Sequence, residues 1–298
     1  MLAVTYSVNG IKADIDEKGH TVGDILALLD ERAESMGDII IEVKLDGTPL
    51  DPEGLAVISE HDSSGASILE LISEPAAAMR SRALETLLEL IAASTEALGS
   101  EDTESMESAH AAWNSFRTSF FGLFSAEEAS FIDAFGEQLR AACTGTRSGD
   151  SRMMAENLSA FFDDRLGELR DPGNAMLGAA RVFDAIKDDL SEVPIRLQTG
   201  KENEAMKTMV LVVELINKTV RIMPEYTRST VARGQESLLA IQGTPMADFY
   251  GELNGVLREL ASAFENKDGV LIGDLAEYEI RPRLESFFAA FRQSVGAS

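Results

Sequence analysis

Glu107-Ser-Ala-His110 sets a carboxylate and an imidazole three residues apart in a stretch whose apolar spacing predicts a helix. At that spacing both side chains leave one helix face and can reach one metal ion, as in di-iron carboxylate bundles. Such a centre needs a second Glu-x-x-His and two further helical glutamates. The other two histidines, His20 and His61, lie in the N-terminal quarter, outside the helical stretch. Glu107 and His110 are thus the candidate metal ligands. An exposed helical Glu–His pair is the plainer reading.

Other reactive types are sparse. Cys143 is the single cysteine, at the end of a predicted helix with Arg140 three residues back. A reactive thiol prefers a helix N-terminus or a cationic neighbour, and a small core residue fits Cys143 better. No nucleophile elbow, phosphate loop, dinucleotide fingerprint or metal-spaced Cys/His set is present. The pairs Asp163-Asp164 and Asp188-Asp189 are adjacent, so on a helix they diverge and cannot share a proton. No catalytic residue and no cofactor is expected.

Two surfaces could instead hold a partner. Trp113, Phe116, Phe120 and Phe124 recur at helical spacing and form one stripe, with Phe121, Phe131 and Phe135 close by. Such stripes usually pack inside a bundle; an exposed one is a groove for a partner helix. Near the C-terminus, Asp274, Glu277, Arg281 and Arg283 could form a charged network beside Tyr278, and Pro282 should kink that helix.

The composition narrows the class. The chain has 298 residues, with 51 Asp+Glu against 26 Lys+Arg and a formal charge of −25. Carboxylates in this excess repel phosphates, which argues against nucleic acid and against an anionic membrane surface. They suit a protein partner with a basic surface. Apolar runs are too short to span a membrane, and a single cysteine fits a reducing, cytoplasmic setting. A homo-dimer is compatible with these totals.

The acid is unevenly spread. Residues 1–74 hold 16 acidic and 4 basic side chains, and the other 224 hold the remaining 35 and 22. The pattern changes at the same place. Val4 to Val8 alternates as a strand, Asn9-Gly10 is a hairpin turn, and Ile11 to Asp16 reads as the return strand. Asp14 and Asp16 share a face of that strand and are candidate contacts. Thr21 and Asp24 form a capping box before an apolar helical face that ends at Gly37. Ile39 to Leu45 is a third strand, Asp46-Gly47 a turn, Thr48-Pro49-Leu50 a short edge piece, and Ala66 to Ile72 the last strand.

This order of elements resembles the β-grasp fold of the ubiquitin-like superfamily, over about a quarter of the chain. The resemblance implies a small sheet wrapped on one helix. The superfamily's conjugating and sulfur-carrying members end the last strand in a free Gly-Gly. Here that strand runs into Ser73-Glu74-Pro75, and the sequence ends Gly296-Ala297-Ser298. Carrier chemistry is therefore not expected of any residue.

From residue 75 the periods are helical throughout. Pro75 suits the first position of a helix, and further helices are predicted near 102–123, 126–143, 150–170, 175–198, 202–223, 245–265 and 270–294. Pro224 should interrupt the chain, with another helix over 228–242, and Thr244-Pro245 reads as an N-cap followed by a first-turn proline. Glu101 to Met106 and Lys201 to Met206 open helices in similar ways. Two tandem four-helix units, 76–171 and 174–298, are one reading of this; a single bundle over 75–298 is the other. The expected class is α+β, a β-grasp-like domain over 1–74 followed by an all-α region. The expected function is a non-enzymatic interaction adaptor or scaffold. The alternative is a metal-binding, di-iron-type bundle using Glu107 and His110.

Overall fold

The computed structural model describes residues 4–15, 19–61, 67–100, 102–145, 151–232, 234, 240–241 and 243–296. Strand β1 (Thr5–Val8) turns through Asn9 and Gly10, both at positive φ, into β2 (Ile11–Lys12). The two-residue turn matches the twist of the flanking strands, which is why Asn-Gly serves here. Helix α1 (Val22–Met36) opens on Thr21, whose Oγ1 accepts from the Asp24 N–H while Asp24 Oδ2 accepts from the Thr21 N–H at 2.9 Å. It closes on Gly37, left-handed at φ 77°. Strand β3 (Asp38–Leu45) and the short β4 (Thr48–Pro49) follow. Helix α2 (Pro52–Ser59), which the sequence reading did not anticipate, leads to β5 (Ile68–Pro75).

The strand order is β2-β1-β5-β3-β4, with β1 parallel to β5 and the other pairs antiparallel. Val22, Ile25 and Leu29 of α1 pack with Val4, Tyr6, Leu69 and Leu71 as the core of this sheet. The register of β3 against β5 slips between Ile40 and Glu42. A bulge adds one residue to a strand and turns it outward; here Ile41 is 42% exposed.

The described remainder is helical but for one short hairpin, so the molecule is α+β with a mixed sheet first and helices after it. Pro75 ends β5 and stands as N-cap, not first residue, of α3 (Ala76–Gly99); the Ala76 N–H bonds to Gly37 O at 2.9 Å. Then come α4 (Thr103–Phe120), a 3₁₀ turn (Phe121–Leu123), α5 (Ala126–Cys143) and α6 (Ser151–Arg170). The Ser125–Glu128 capping box starts α5. After it lie α7 (Pro172–Gln198), α8 (Glu202–Ala232), a hairpin of β6 (Ala240–Ile241) and β7 (Thr244–Pro245), α9 (Met246–Glu265), α10 (Gly269–Asp274), a π-helical turn (Leu275–Ile280) and α11 (Arg281–Gly296). The chain forms two compact units, Met1–Asp163 and Asp164–Ser298.

Proline explains most departures from the expected boundaries. Helix α8 does not stop at Pro224; Ile222, Met223, Tyr226 and Thr230 are buried on either side and hold it helical to Ala232. Packing here outweighs a lost N–H and a crowded carbonyl. Thr244-Pro245 forms a strand rather than a helix start. Pro282 falls just after a π turn, whose wider backbone gives room where the ring would meet the carbonyl four residues back.

Candidate functional site

Helix α1 is flanked by two open clefts. One, about 440 Å³, lies between α1, β3 and the segment leading into α2. Its walls are Leu26, Ile40, Val43, Leu50 and Leu55, and fully buried Leu71 lies beneath them. Ile41, swung out by the bulge, stands on its rim. Its charged lining residues are Asp30, Glu42 and Asp51, and among the described residues no Lys or Arg lines it. Asp51 also caps α2, accepting from the Gly54 N–H at 2.7 Å, so that carboxylate is fixed in place. Glu42 pairs with Lys44 at 2.9 Å on the neighbouring sheet surface. An apolar slot edged with carboxylates takes an apolar side chain flanked by positive charge.

The second cleft, about 390 Å³, lies on the other flank of α1. It is bordered by Val8, Ile11, Asp14, Leu29, Arg32 and Met36, among others. Asn9 anchors its end, donating to Ser73 Oγ at 3.0 Å and accepting from the Ser73 N–H at 2.9 Å.

The residues singled out from the sequence are dispersed. Asp14 is exposed beside this second cleft; Asp16 lies outside the described residues. Trp113, Phe116 and Phe124 are buried and Phe120 half-buried, so the aromatic stripe is core and offers no groove. Trp113 meets Phe135 edge-on at 5.0 Å, and Phe116 lies 5.3 Å from Phe120 and 5.9 Å from Phe124. Tyr278 is 64% exposed on the π turn. Its expected network is wired otherwise, since Arg281 pairs with Glu285 at 3.1 Å and Arg283 with Glu279.

Glu107 is exposed, and the half-buried His110 has its Nε2 3.3 Å from Asn114 Nδ2. His110 also helps hold the Glu137 carboxyl below its ordinary value, after the larger effects of its hydrogen bond to Arg140 and that charge. Glu17-x-x-His20 repeats the spacing in the head, but Glu17 lies outside the described residues and His20 is exposed. Among the described residues no three His, Cys, Asp or Glu side chains gather closely enough to hold a metal ion. No helix among them is long and apolar enough to cross a membrane.

Within Asp164–Ser298 the polar feature is a buried carboxylate. Glu168 is 4% exposed and accepts from Arg221 Nε at 2.7 Å and Nη2 at 2.8 Å. Arg165 lies 3.2 Å away and Lys218 3.5 Å, while Lys218 also holds Asp164 at 2.7 Å. Three cations thus share two carboxylates, and every one of them faces Glu168, so the arrangement ties α6 to α8. In the same unit α7, α8 and α11 contribute to a core that includes Phe183, Leu190, Met209, Ile216, Phe287 and Phe288. Residues 175–289 match the model of a domain of unknown function (DUF8042). No curated protein and no solved structure matches the chain. The matched stretch begins in α7 and ends in α11, so it covers most of that apolar core and excludes Glu168.

The cleft between α1 and α2 is the site that sequence reasoning missed. Its signal was present: Asp51-Pro52-Glu53 is an N-cap, a first-turn proline and a first-turn acid in succession. Passing from the edge piece at Thr48-Pro49-Leu50 straight to the last strand overlooks the helix that supplies Leu55.

Proposed function

We propose that the protein is a non-enzymatic adaptor whose first 74 residues are a ubiquitin-like, β-grasp head that holds a protein partner in the cleft between α1 and α2. The sheet order, with α1 packed on one face, supports the likeness. The observation that carries the binding role is the cleft itself: apolar walls, a rim of Asp30, Glu42 and Asp51, and no lining cation among the described residues. The partner presents an apolar side chain beside Lys or Arg. The net charge of the head speeds its approach, and the apolar contact slows its departure. A lone cysteine supports a cytoplasmic setting.

The full chain and its double variant Asp30→Lys with Glu42→Lys are immobilised and exposed to native lysate, and captured proteins are quantified. At least one protein should be recovered roughly tenfold less on the variant, with an association rate to the wild type that falls as salt rises. Equal recovery of every protein on both baits rejects the cleft as the binding face.

A further inference from the structure

The run Ile11-Lys12-Ala13-Asp14-Ile15 is apolar, positive, apolar, negative, apolar. Its first two residues are β2, which stands last in the strand order and so forms the outer edge of the sheet. Val8 pairs with Ile11 across the turn, and the Ala13 N–H donates to Tyr6 O at 2.8 Å, which carries the pairing past the ladder. Antiparallel pairing alternates residues that bond to the neighbour with residues that face away. Ile11 and Ala13 therefore address β1, while the backbone N–H and C=O of Lys12 and Asp14 point out from the edge. Ile11 is 75% exposed. It shares a sheet face with Val8, which packs on the core.

An edge of this kind is a template for another strand, and its charge pattern says which. Laid antiparallel on itself about Ala13, the run sets Lys12 opposite Asp14, Ala13 opposite Ala13 and Ile11 opposite Ile15. The outward backbone groups of Lys12 and Asp14 then face each other, as a bonded pair requires. Moving the register by two residues puts Lys12 against Lys12 or Asp14 against Asp14, which cross-strand repulsion disfavours. We propose that a second copy of this chain docks there, joining two heads through antiparallel β2 edges into one continuous sheet about a two-fold axis. This surface is distinct from the cleft between α1 and α2, so the proposal stands apart from the adaptor reading. A contact this short lies below the usual interface size, as weak and transient pairs do, and the test is set for a Kd on the order of 100 μM.

The test is sedimentation equilibrium of the full chain from about 10 μM to 1 mM, bracketing that Kd, with amide exchange at Lys12 and Asp14. Wild type should shift from monomer to dimer, and both amides should slow with concentration. Asp14→Lys should weaken the dimer at least about tenfold although it brings the net charge closer to zero, and Lys12→Asp, which makes it more negative, should weaken it as well. The swap of both, Lys12→Asp with Asp14→Lys, restores it. All three changes lie on exposed side chains, and circular dichroism confirms their fold. A monomer throughout, a dimer indifferent to the single changes, or a swap that does not restore it overturns the proposal.

Discussion

The sheet-bearing head and the helical unit from Asp164 onward treat carboxylates in opposite ways. In the head Asp24 and Asp51 stay exposed as helix caps, and Asp30 and Glu42 edge an apolar cleft. In the helical unit Glu168 is drawn inside and surrounded by Arg165, Lys218 and Arg221. A surface carboxylate contributes little to stability and can serve a partner. A buried one must be matched, and once matched it is committed to the fold. On the proposed reading, the contrast separates carboxylates left open to a partner from one committed to the fold.

The largest expected effect tests that separation directly. Glu168→Ala takes the shared carboxylate from Arg165, Lys218 and Arg221, of which the last two are partly exposed and Lys218 keeps Asp164, and should cost about 3 kcal/mol. Asp30→Ala should stay within about 0.5 kcal/mol, as exposed substitutions do. Urea unfolding of the full chain followed by circular dichroism compares the two. Equal costs would mean that the buried cluster is no more structural than the acidic rim.

A smaller effect concerns packing. A Cβ on Gly273 would lie 2.9 Å from Pro194 Cα and 3.0 Å from its Cβ, so α7 and α10 touch backbone to backbone there. Gly273→Ala should cost about 1–3 kcal/mol through overpacking. Gly255→Ala, in open space on α9, should gain up to about 1 kcal/mol from helix propensity. Thermal melting of both variants reads the difference in sign. A neutral Gly273→Ala would show that the contact can relax.

The same contrast explains what was legible. The head is written in local signals: Asn9-Gly10 for the hairpin, Thr21 with Asp24 for the start of α1, Gly37 for its end. Each acts within three or four residues, so spacing alone reveals it. The helical unit depends on pairs far apart in the chain. Arg221 meets Glu168 across 53 residues, and nothing in the spacing of either announces the other. Pro224 and Pro282 misled for the same reason, because burial of Tyr226 and Thr230 and the π turn at Leu275–Ile280 are tertiary solutions to a local defect. Trp113 did not mislead: its helical spacing with Phe116 marked a stripe whose usual place is core, and it is buried against Phe135.

The smallest effect lies in the capping box of α1, where the head's reliance on local bonds can be titrated. Thr21 Oγ1 accepts from the Asp24 N–H at 3.2 Å, so Thr21→Ala should cost about 1 kcal/mol. The reciprocal bond makes part of the cap sensitive to acid. The Thr21 backbone N–H, then its hydroxyl, hold the Asp24 carboxyl below its ordinary value. A carboxyl lowered in the folded state adds stability above its unfolded pKa, near 3.9 for Asp, and loses it as pH falls through the folded value. Asp24→Asn has no such proton to bind. The unfolding midpoints of wild type and Asp24→Asn should therefore differ at pH 7, with wild type higher, and converge as pH falls below about 4. A gap that stays constant through that fall would mean that the ionised carboxylate adds nothing to the cap, and that the head depends on its sheet core as much as the helical unit depends on its own.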